Sequence, residues 1–516
     1  MEALTSVINS YKAASQSITW EMLPQFVTIF LLSWVVYSHF LKIYFSPLKY
    51  MPSVTYIPIF GSLIDIIRHE SGYYYESWMK RLNASVFRVF WAYGYERVCV
   101  ADADVAKAIL VTKSKSFRKA PEGYRFIKKL LGDGLVTTEG KLHRRNRKLC
   151  NGSFRKNILK NMIPIFESHT IKMMNKWEKL METSRDGYTE IPINLQVTNL
   201  TFDVIGKCAF DYDFQCIENN SNETTDLFTK VSQKLELNWQ RVLPDFLPFL
   251  HVFKTKSMKE YEKYISNLDD IVYRIIEEKR KTIDLSNEDD SNVSNLLESL
   301  LYAKDEDTGE RMSDKEIRDH AVTFMLAGHE TTAVSITWVL LQLARYPHIQ
   351  DKVREEIRSV LPKDGRNITD DHLEQLSYLR CVIDETMRIY PAVLMVSREA
   401  IEDCRIGDYT FPKGTFLFVN ITSLQKNPKY WENPMEFRPE RFSDPSKVYP
   451  YSFIPFIAGG RMCIGYKFAL MEMKAALALL INKFEYKLMP GVSYKRRATI
   501  TSRPEPNLIL KVRKLN

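Results

Sequence analysis

The sequence predicts a mainly helical protein with a minor β region, built as a single large domain after one N-terminal transmembrane helix. Long stretches with the helical period of apolar residues dominate the chain, while runs typical of strands are few and short. No internal repeat is visible. The clearest helical stretches are 316–346, 371–390 and 464–484, and the strand-like runs are SVFRVFW, ERVCVAD, FLFVNIT and NLILKVRK.

The composition narrows the class of protein. The 516 residues are 45% hydrophobic and carry a net charge of +9, which fits a membrane surface or an acidic protein partner. The absence of a long Lys/Arg run and of any nucleic-acid motif argues against a nucleic-acid partner. The seven cysteines are scattered and form no C-x-x-C pair, which argues against a disulfide scaffold or a cysteine-cluster zinc site.

A membrane anchor is predicted near the N-terminus. Residues 22–41 carry no Asp, Glu, Lys or Arg, and 20 helical residues rise about 30 Å, the thickness of one bilayer core. We expect a lumenal segment, a transmembrane helix, a proline-rich elbow and one large domain, with the bounds 1–21, 22–45, 46–60 and 61–516. Basic residues follow the span, so the large domain is expected in the cytosol. The alternatives are a buried core helix and a cleaved signal peptide.

One cysteine lies in a glycine-rich stretch, FIAGGRMCIG, that spans residues 456–465. Cys463 precedes a segment with helical periodicity, so the positive end of a helix dipole is expected to favour its thiolate. Gly459 and Gly465 allow tight turns and let backbone N–H groups approach the sulfur. The alternative is a structural cysteine near a helix cap.

A second unusual stretch, AGHETT, interrupts an otherwise apolar helix. Ala327 and Thr331 are i and i+4, so they share one face, where a small residue beside a hydroxyl makes room for a small ligand. Glu330 adds an acid to the alcohol, as a proton relay requires. A zinc helix of the H-E-x-x-H kind is excluded because residue 333 is Ala. The structural alternative is a threonine bonded to its own helix.

The segment 139–154 is predicted to form a helix with two different faces. Its basic residues Lys141, Arg144, Arg145 and Lys148 fall on one side, which suits either solvent or an acidic electron donor. The pair His143 and Arg147 falls on another side and suits buried anions. Further along the chain, Glu385 and Arg388 are spaced i and i+3, a spacing most often found in an exposed ion pair.

Taken together, these motifs resemble the haem-thiolate monooxygenases of the cytochrome P-450 superfamily, in their microsomal, membrane-anchored form. The family's cysteine signature is matched by Phe456, Gly459, Arg461, Cys463 and Gly465. Its oxygen-helix motif is matched by residues 327–332, and its E-x-x-R motif by Glu385 and Arg388, with Arg441 as the usual partner. Its G-x-x-W-x-x-x-R motif is matched by Gly140 and Arg147, but His143 replaces the tryptophan.

The resemblance implies the cytochrome P-450 fold and a cofactor, haem b, whose axial ligand is the thiolate of Cys463. It implies that Arg461, Arg147 and, more loosely, Arg398 face the haem propionates, with His143 as a substitute for the indole. Thr331 and Glu330 would guide protons, and Ala327 would flank them. Glu385, Arg388 and Arg441 would form a buried structural network. Because some fatty-acid chain-end hydroxylases carry a haem-esterifying Glu where this chain has Ala327, the haem is expected to be non-covalent.

The resemblance also implies the reaction and the partners. Electrons from NADPH would arrive through a flavoprotein reductase or a cytochrome b-type donor, and one atom of dioxygen would enter a lipophilic substrate. That substrate is a sterol, a fatty acid, another lipid or a foreign compound, and the enzyme would sit in the endoplasmic reticulum membrane with a single span. Two other functions stay open: a reductase-independent isomerase or dehydratase of lipid peroxides, and a non-catalytic membrane haem protein.

Overall fold

The computed structural model of the chain describes residues 23–37, 41–58, 60–68, 73–91, 95–182, 187–220, 223–235, 256–283, 295–305, 308–362, 365–498 and 501–515. Helices dominate it. They are α1 Leu23–Val36, α2 Leu63–Arg68, α3 Tyr74–Leu82, α4 Ala103–Lys107, α5 Pro121–Leu131, α6 Gly140–Asn151, α7 Lys156–Lys160, α8 Ile163–Met181, α9 Ile193–Phe210, α10 Cys216–Asn219, α11 Glu223–Leu235, α12 Lys256–Thr282, α13 Leu296–Tyr302, α14 Asp314–Arg345, α15 Pro347–Val360, α16 Asp370–Gln375, α17 Ser377–Ile389, α18 Ile421–Leu424 and α19 Tyr466–Lys483.

Short strands form the minor β region. They are β1 Val86–Trp91, β2 Tyr95–Val100, β3 Phe117–Arg118, β4 Thr189–Pro192, β5 Met395–Ala400, β6 Cys404–Ile406, β7 Tyr409–Phe411, β8 Phe416–Asn420, β9 Phe484–Leu488, β10 Lys495–Ala498, β11 Ser502–Glu505 and β12 Ile509–Lys514. One sheet has the order β1-β2-β8-β5-β3, and another has the order β4-β12-β9. The pair β2 and β8 is parallel, while β10 and β11 form an antiparallel hairpin. The prediction of a mainly helical single domain with a minor sheet is confirmed.

The longest helix, α14, passes through the core. It begins at a capping box in which Ser313 and Glu316 bond each other's backbone N–H groups, an arrangement that satisfies otherwise free donors. Its 32 residues extend about 48 Å, and nearly all of its side chains after the first turn are buried. The predicted helix over 316–346 is therefore confirmed, and it is the element against which the site is built.

The N-terminal helix α1 is shorter than the span predicted from the sequence. Its 14 residues rise about 21 Å, and its apolar side chains are exposed, with Phe30 69% accessible. Residue 22, residues 38–40 and the expected lumenal segment 1–21 lie outside the described residues. Among the described helices, the one long and apolar enough to cross a bilayer is α14, and it is buried inside the protein. A transmembrane helix at the N-terminus therefore stays a prediction.

The helical core is continuous from α8 and α9 across α14 to α19. Two smaller apolar clusters pack on the five-stranded sheet. The loop that holds Cys463 lies between α19 and the sheet-side segment Ala108–Thr112, which has the wider turn of a π-helix. Residues of α6, of β5 and of the segment after β3 lie close to this loop.

Candidate active site

The cysteine loop is shaped by its own backbone. Residues Gly459–Arg461 form a 3₁₀ turn, and α19 begins at Tyr466. The N–H of Cys463 donates to the carbonyl of Phe456 at 2.9 Å, which closes the loop just before the helix. Cys463 is exposed, whereas Cys99, Cys150, Cys208, Cys216, Cys381 and Cys404 are buried. Cys463 is thus the one cysteine of the chain whose sulfur is available to a ligand.

Glycine occurs at positions 459 and 465 of this loop for different physical reasons. Gly459 has φ +71°, and a Cβ there would lie 2.2 Å from the carbonyl oxygen of Leu110. Its role is therefore to let the loop pack against the segment Ala108–Thr112, rather than to serve the sulfur as the sequence suggested. A Cβ on Gly465 would make an ordinary contact of 3.6 Å with the Phe154 ring, and the N–H of Gly465 donates to the Cys463 sulfur.

Protein surrounds the sulfur although the residue is accessible. Desolvation raises the pKa of the Cys463 thiol, while the Gly465 N–H and the Arg147 guanidinium act in the opposite direction. The Gly465 hydrogen bond and the Arg147 charge do not by themselves bring the pKa of the thiol below its ordinary value. A bound metal cation deprotonates a coordinating thiol outright. The site therefore has an exposed cysteine, a backbone N–H donor to its sulfur and a nearby positive charge, which together suit a metal thiolate.

Basic side chains gather next to this loop. Arg147 of α6 donates through Nη1 to the carbonyl of Met462 at 2.7 Å, directly beside the cysteine. Arg461 donates to the Thr138 carbonyl at 2.7 Å, and it forms an ion pair of 2.9 Å with Glu139. Arg398 of β5 is buried and lies close enough to lower the pKa of Arg461, after the larger effect of desolvation.

His143 and a lysine that sequence reasoning missed complete this group. Burial, followed by the charges of Arg461, Lys119 and Arg147, lowers the pKa of His143 to about 3, so the imidazole is neutral. Burial and the Arg461 charge lower the pKa of Lys119 to about 7. Lys119 follows β3, which pairs with β5, the strand that carries Arg398. No motif marks Lys119, because this pairing joins residues far apart in sequence.

These residues, hereafter the basic cluster, are Lys119, His143, Arg147, Arg398 and Arg461. Among the described residues that act electrostatically on its buried members, the acid is Glu139. Buried charges of one sign are costly unless an opposite charge accompanies them. A ligand with two carboxylates beside the cysteine sulfur would supply that charge. The residues present therefore fit the propionate-bearing edge of a haem.

Helix α14 contributes an accessible notch. Ala327 is exposed and Thr331 is half-buried, although the helix around them is buried. The hydroxyl of Thr331 donates to the Ala327 carbonyl at 2.8 Å, the local bond that the structural alternative anticipated. A Cβ on Gly328 would lie 2.7 Å from Ile205, so this glycine permits close packing with α9. The ladder of α14 itself runs unbroken through this position.

Glu330 has partners of its own. Its Oε1 accepts hydrogen bonds from the Thr501 hydroxyl, at 2.9 Å, and from the Arg503 guanidinium. The side chain of Glu330 is 6% exposed. The sequence motif predicted an acid next to an alcohol. In the structure the carboxylate of Glu330 is bound by the C-terminal hairpin, whereas the hydroxyl of Thr331 is bound to the backbone of its own helix.

The three residues of the predicted structural network lie together. Arg388 donates to both carboxylate oxygens of Glu385, at 2.7 and 2.9 Å, and Arg441 lies 3.3 Å from Oε1. The Glu385 and Arg388 side chains are 0% exposed, so this is not the exposed ion pair that the spacing most often indicates. Arg388 also donates to the carbonyls of Gln425 and Glu436.

Known proteins resemble this chain over nearly all of its domain. The sequence model of the family Cytochrome P450 matches residues 51–512. The chain belongs to the cytochrome P450 family. Similar curated proteins include the mouse leukotriene-B4 omega-hydroxylase 3, 33% identical over 426 residues, which are 80% of this chain and 78% of that protein. Human cytochrome P450 4X1 is 33% identical over 428 residues, 81% of this chain and 82% of the relative.

Rat cytochrome P450 4F1 is 32% identical over 426 residues, 80% of this chain and 78% of its own. The chain is thus a cytochrome P450 monooxygenase, and its cofactor is haem b with a cysteine thiolate as the axial ligand. The family also implies dioxygen, a lipophilic substrate and a redox partner in general. The geometry around Cys463 agrees with this cofactor, as the fit of the basic cluster shows.

One basic residue of this cytochrome P450 is used differently from the expectation. Arg145 was expected on the solvated face of α6 with Lys141, Arg144 and Lys148. It instead pairs with Asp305 at 2.6 Å and with Glu316 at 2.7 Å, and so ties α6 to the start of α14. The other three are exposed. The basic face available to a partner is therefore narrower than the sequence suggested.

Proposed function

We propose that this cytochrome P450 hydroxylates a lipid with haem held at Cys463, using electrons that originate from NADPH. The observation that carries the proposal is the accessible sulfur of Cys463 beside a basic cluster that has too few acids of its own. When bound, the haem supplies the activation of dioxygen. The overall reaction is RH + O₂ + NADPH + H⁺ → ROH + H₂O + NADP⁺, which balances in atoms and electrons.

The basic cluster would hold the haem carboxylates. Arg147, Arg461 and Arg398 offer guanidinium donors, Lys119 offers an ammonium, and the neutral His143 offers one N–H in place of the family's indole. In the cysteine loop, Gly465 would donate its N–H to the sulfur and the Phe456 carbonyl would hold the Cys463 N–H, while Gly459 would let the loop pack against Leu110. Ala327 has no carboxylate with which to form an ester, so the haem is held by these polar contacts and by the thiolate.

Helix α14 would place proton-carrying groups near the reacting atoms. Thr331 presents its hydroxyl at the accessible notch, and Ala327 leaves room beside it. Glu330 is one residue away and is the acid of the pair. We assign to Thr331 the task of holding a proton at its Oγ1, and to Glu330 the task of replacing that proton.

A flavoprotein reductase, or a cytochrome b-type donor, would bind the exposed basic face of α6. Lys141, Arg144 and Lys148 are exposed there. Charge complementarity of this kind speeds association and orients the partner. The apolar helix α1 and the prolines after it support an endoplasmic reticulum anchor with the catalytic domain over 61–516 in the cytosol. The Glu385, Arg388 and Arg441 network would hold the cysteine loop region in shape.

The substrate class follows from the relatives only in broad terms. The mouse relative is named as an omega-hydroxylase of leukotriene B4. Ala327, however, separates this chain from chain-end hydroxylases with covalent haem. We propose a lipid substrate that enters from the membrane, and we leave its chemical subclass to turnover measurements.

The decisive experiment is the carbon monoxide spectrum of the reduced protein, followed by turnover of a lipid panel with reductase and NADPH. Wild-type protein should give the band typical of a thiolate ligand, and Cys463→Ala should lose it. Cys208→Ala, which changes a buried cysteine, is the control and should keep the band. A haem-free protein, or product formation that needs no NADPH, would contradict the proposal.

A further inference from the structure

The carboxylate of Glu330 is bound by a part of the chain that lies far from it in sequence. Arg503 and Thr501, both at the C-terminal hairpin, donate to the same oxygen, Oε1. The Arg503 side chain is 35% exposed, whereas that of Glu330 is 6% exposed. The pair therefore joins the interior of α14 to the solvent side of the hairpin.

The hairpin is attached to the core at further points. The indole N–H of Trp338, also on α14, donates to the carbonyl of Ser502 at 2.8 Å. The N–H of Ser502 donates to the carbonyl of Ala392 at 3.0 Å, in the segment between α17 and β5. Strand β11 is thus hydrogen-bonded to α14 and to the segment before β5, and Arg503 reaches Glu330 from this strand.

Glu330 and Thr331 are bonded in different directions. Successive residues on a helix point about 100° apart. The Thr331 hydroxyl donates to the Ala327 carbonyl, and the Glu330 carboxylate accepts from the hairpin. The position of the carboxylate relative to the notch is therefore decided by Arg503 and Thr501, not by the motif in which Glu330 lies.

We propose that Arg503, assisted by Thr501, is a positioning residue that controls proton supply from Glu330 to the notch at Ala327 and Thr331. This inference rests on the proposed monooxygenase function. It adds that the C-terminal hairpin is part of the machinery for protons. Arg503 acts through Glu330 and is not itself a catalytic residue.

When protons are delivered to the wrong place, the reaction forms hydrogen peroxide, which can be measured. In the coupled reaction, two electrons and two protons per O₂ yield alcohol and water from RH. In the competing reaction, O₂ + NADPH + H⁺ → H₂O₂ + NADP⁺, and the substrate is not oxidised. A site that controls protons suppresses such side reactions. The ratio of product to hydrogen peroxide, at a given NADPH consumption, therefore reports on the position of Glu330.

The test compares Arg503→Gln with Arg497→Gln in the full-length haem protein with reductase. Arg497 is the cross-strand neighbour of Arg503, and it pairs with Glu505 at 3.1 Å on the exposed side of the hairpin. We expect R503Q to lower product per NADPH at least fivefold, with a matching rise in hydrogen peroxide. R497Q should stay near wild type, and R503K should recover at least half of the loss.

A second readout does not depend on turnover. A double-mutant cycle of R503Q and E330Q, scored by the thermal unfolding midpoint, should show that the two changes are not additive. R497Q combined with E330Q should be additive. If R503Q does not yield haem protein, Thr501→Val removes the other donor to Glu330 at similar volume and should lower product per NADPH about twofold.

Wild-type coupling in R503Q, or in T501V where R503Q cannot be made, would overturn the inference. That result differs from a failure of the proposed function, in which wild-type protein itself gives no thiolate band or no NADPH-dependent product. An additive cycle between Arg503 and Glu330 would also overturn it, since the two side chains would then not interact.

Discussion

Two buried groups of charged side chains differ in how they are neutralised. Around Glu385, the guanidiniums of Arg388 and Arg441 contact the carboxylate and several carbonyl oxygens. In the basic cluster, Arg461 has Glu139 as a partner, while Arg398 and Lys119 act on it with charge of the same sign. The charges around Glu385 are neutralised within the protein, whereas those of the basic cluster are neutralised only when an anionic ligand is bound. The difference separates charges that hold the fold from charges that hold a cofactor.

The largest expected effect comes from breaking the group around Glu385. Glu385→Gln removes the charge that neutralises two buried guanidiniums, and loss of one partner of a buried pair costs about 3–5 kcal/mol. We expect a large fall in the thermal unfolding midpoint and in the yield of haem protein. Glu436→Gln is the matched control, because Glu436 contacts Arg441 from an exposed position. An E385Q protein as stable as E436Q would show that the network is dispensable.

The next largest expected effect is the pH dependence of stability that comes from the buried His320. Both ring nitrogens of His320 are buried and have no hydrogen-bond partner among the described residues, and burial lowers the pKa of His320 to about 4. Because the unfolded state takes up a proton near pH 6.5 and the folded state does not, stability falls as the pH decreases from about 6.5 towards 4.

The difference at pH 5 amounts to about 2 kcal/mol for this histidine. His320→Leu removes the titration and breaks no hydrogen bond. Unfolding midpoints measured at pH 7 and pH 5 should therefore differ less for H320L than for wild type. Equal pH dependence of the two proteins would exclude a neutral, buried His320.

A change in the basic cluster should affect haem binding rather than stability, in contrast to a change at Glu385. Arg461→Gln removes a donor to the haem carboxylates, and it also relieves repulsion from Arg398 and Lys119. We expect about a tenfold loss of haem affinity, which is about 1.4 kcal/mol, with little change in the stability of the haem-free protein. Haem affinity is measured by haem transfer to an acceptor protein. Stability is measured by urea unfolding of the haem-free form. A variant that is destabilised without haem and retains it normally would assign Arg461 to the fold.

The smallest expected effect is a difference in unfolding midpoint between variants of two neighbouring arginines of α6, Arg144 and Arg145. Arg145→Gln removes partly exposed ion pairs with Asp305 and Glu316, which are worth about 1 kcal/mol together. Arg144→Gln removes an exposed charge and should leave the unfolding midpoint unchanged. R144Q should instead raise the reductase concentration needed for half-maximal turnover. The same change in both variants would mean that α6 has one uniform basic face.

Local patterns predicted the elements of the site well. The helical period anticipated α14 and α19 within a few residues, and the spacing of the motif residues led to the Cys463 loop and the Ala327 notch. These predictions succeed because a helix face and a helix start depend on neighbours in sequence. The roles assigned to Cys463, Thr331 and Arg147 stay predictions until variants are tested.

Contacts between distant segments could not be read from the sequence. Lys119 joins the basic cluster through the pairing of β3 with β5, and Arg503 reaches Glu330 from the C-terminal hairpin. The close approach of Gly459 to Leu110 likewise depends on the packing of two loops. Each of these depends on which strands and loops become neighbours in the fold, and no local period carries that information.

The pairing of Glu330 with Arg503 has a consequence for synthesis of the chain. A ribosome completes α14 well before it adds Arg503, which follows Glu330 by 173 positions. Until then, the acid in the middle of the central helix has neither of its hairpin donors. The newly made protein therefore cannot complete the contacts of Glu330 until residues 501–503 have emerged. A premature stop between Cys463 and Thr501 should therefore leave a chain that chaperones and proteases treat as unfolded, although every motif residue up to Cys463 is present.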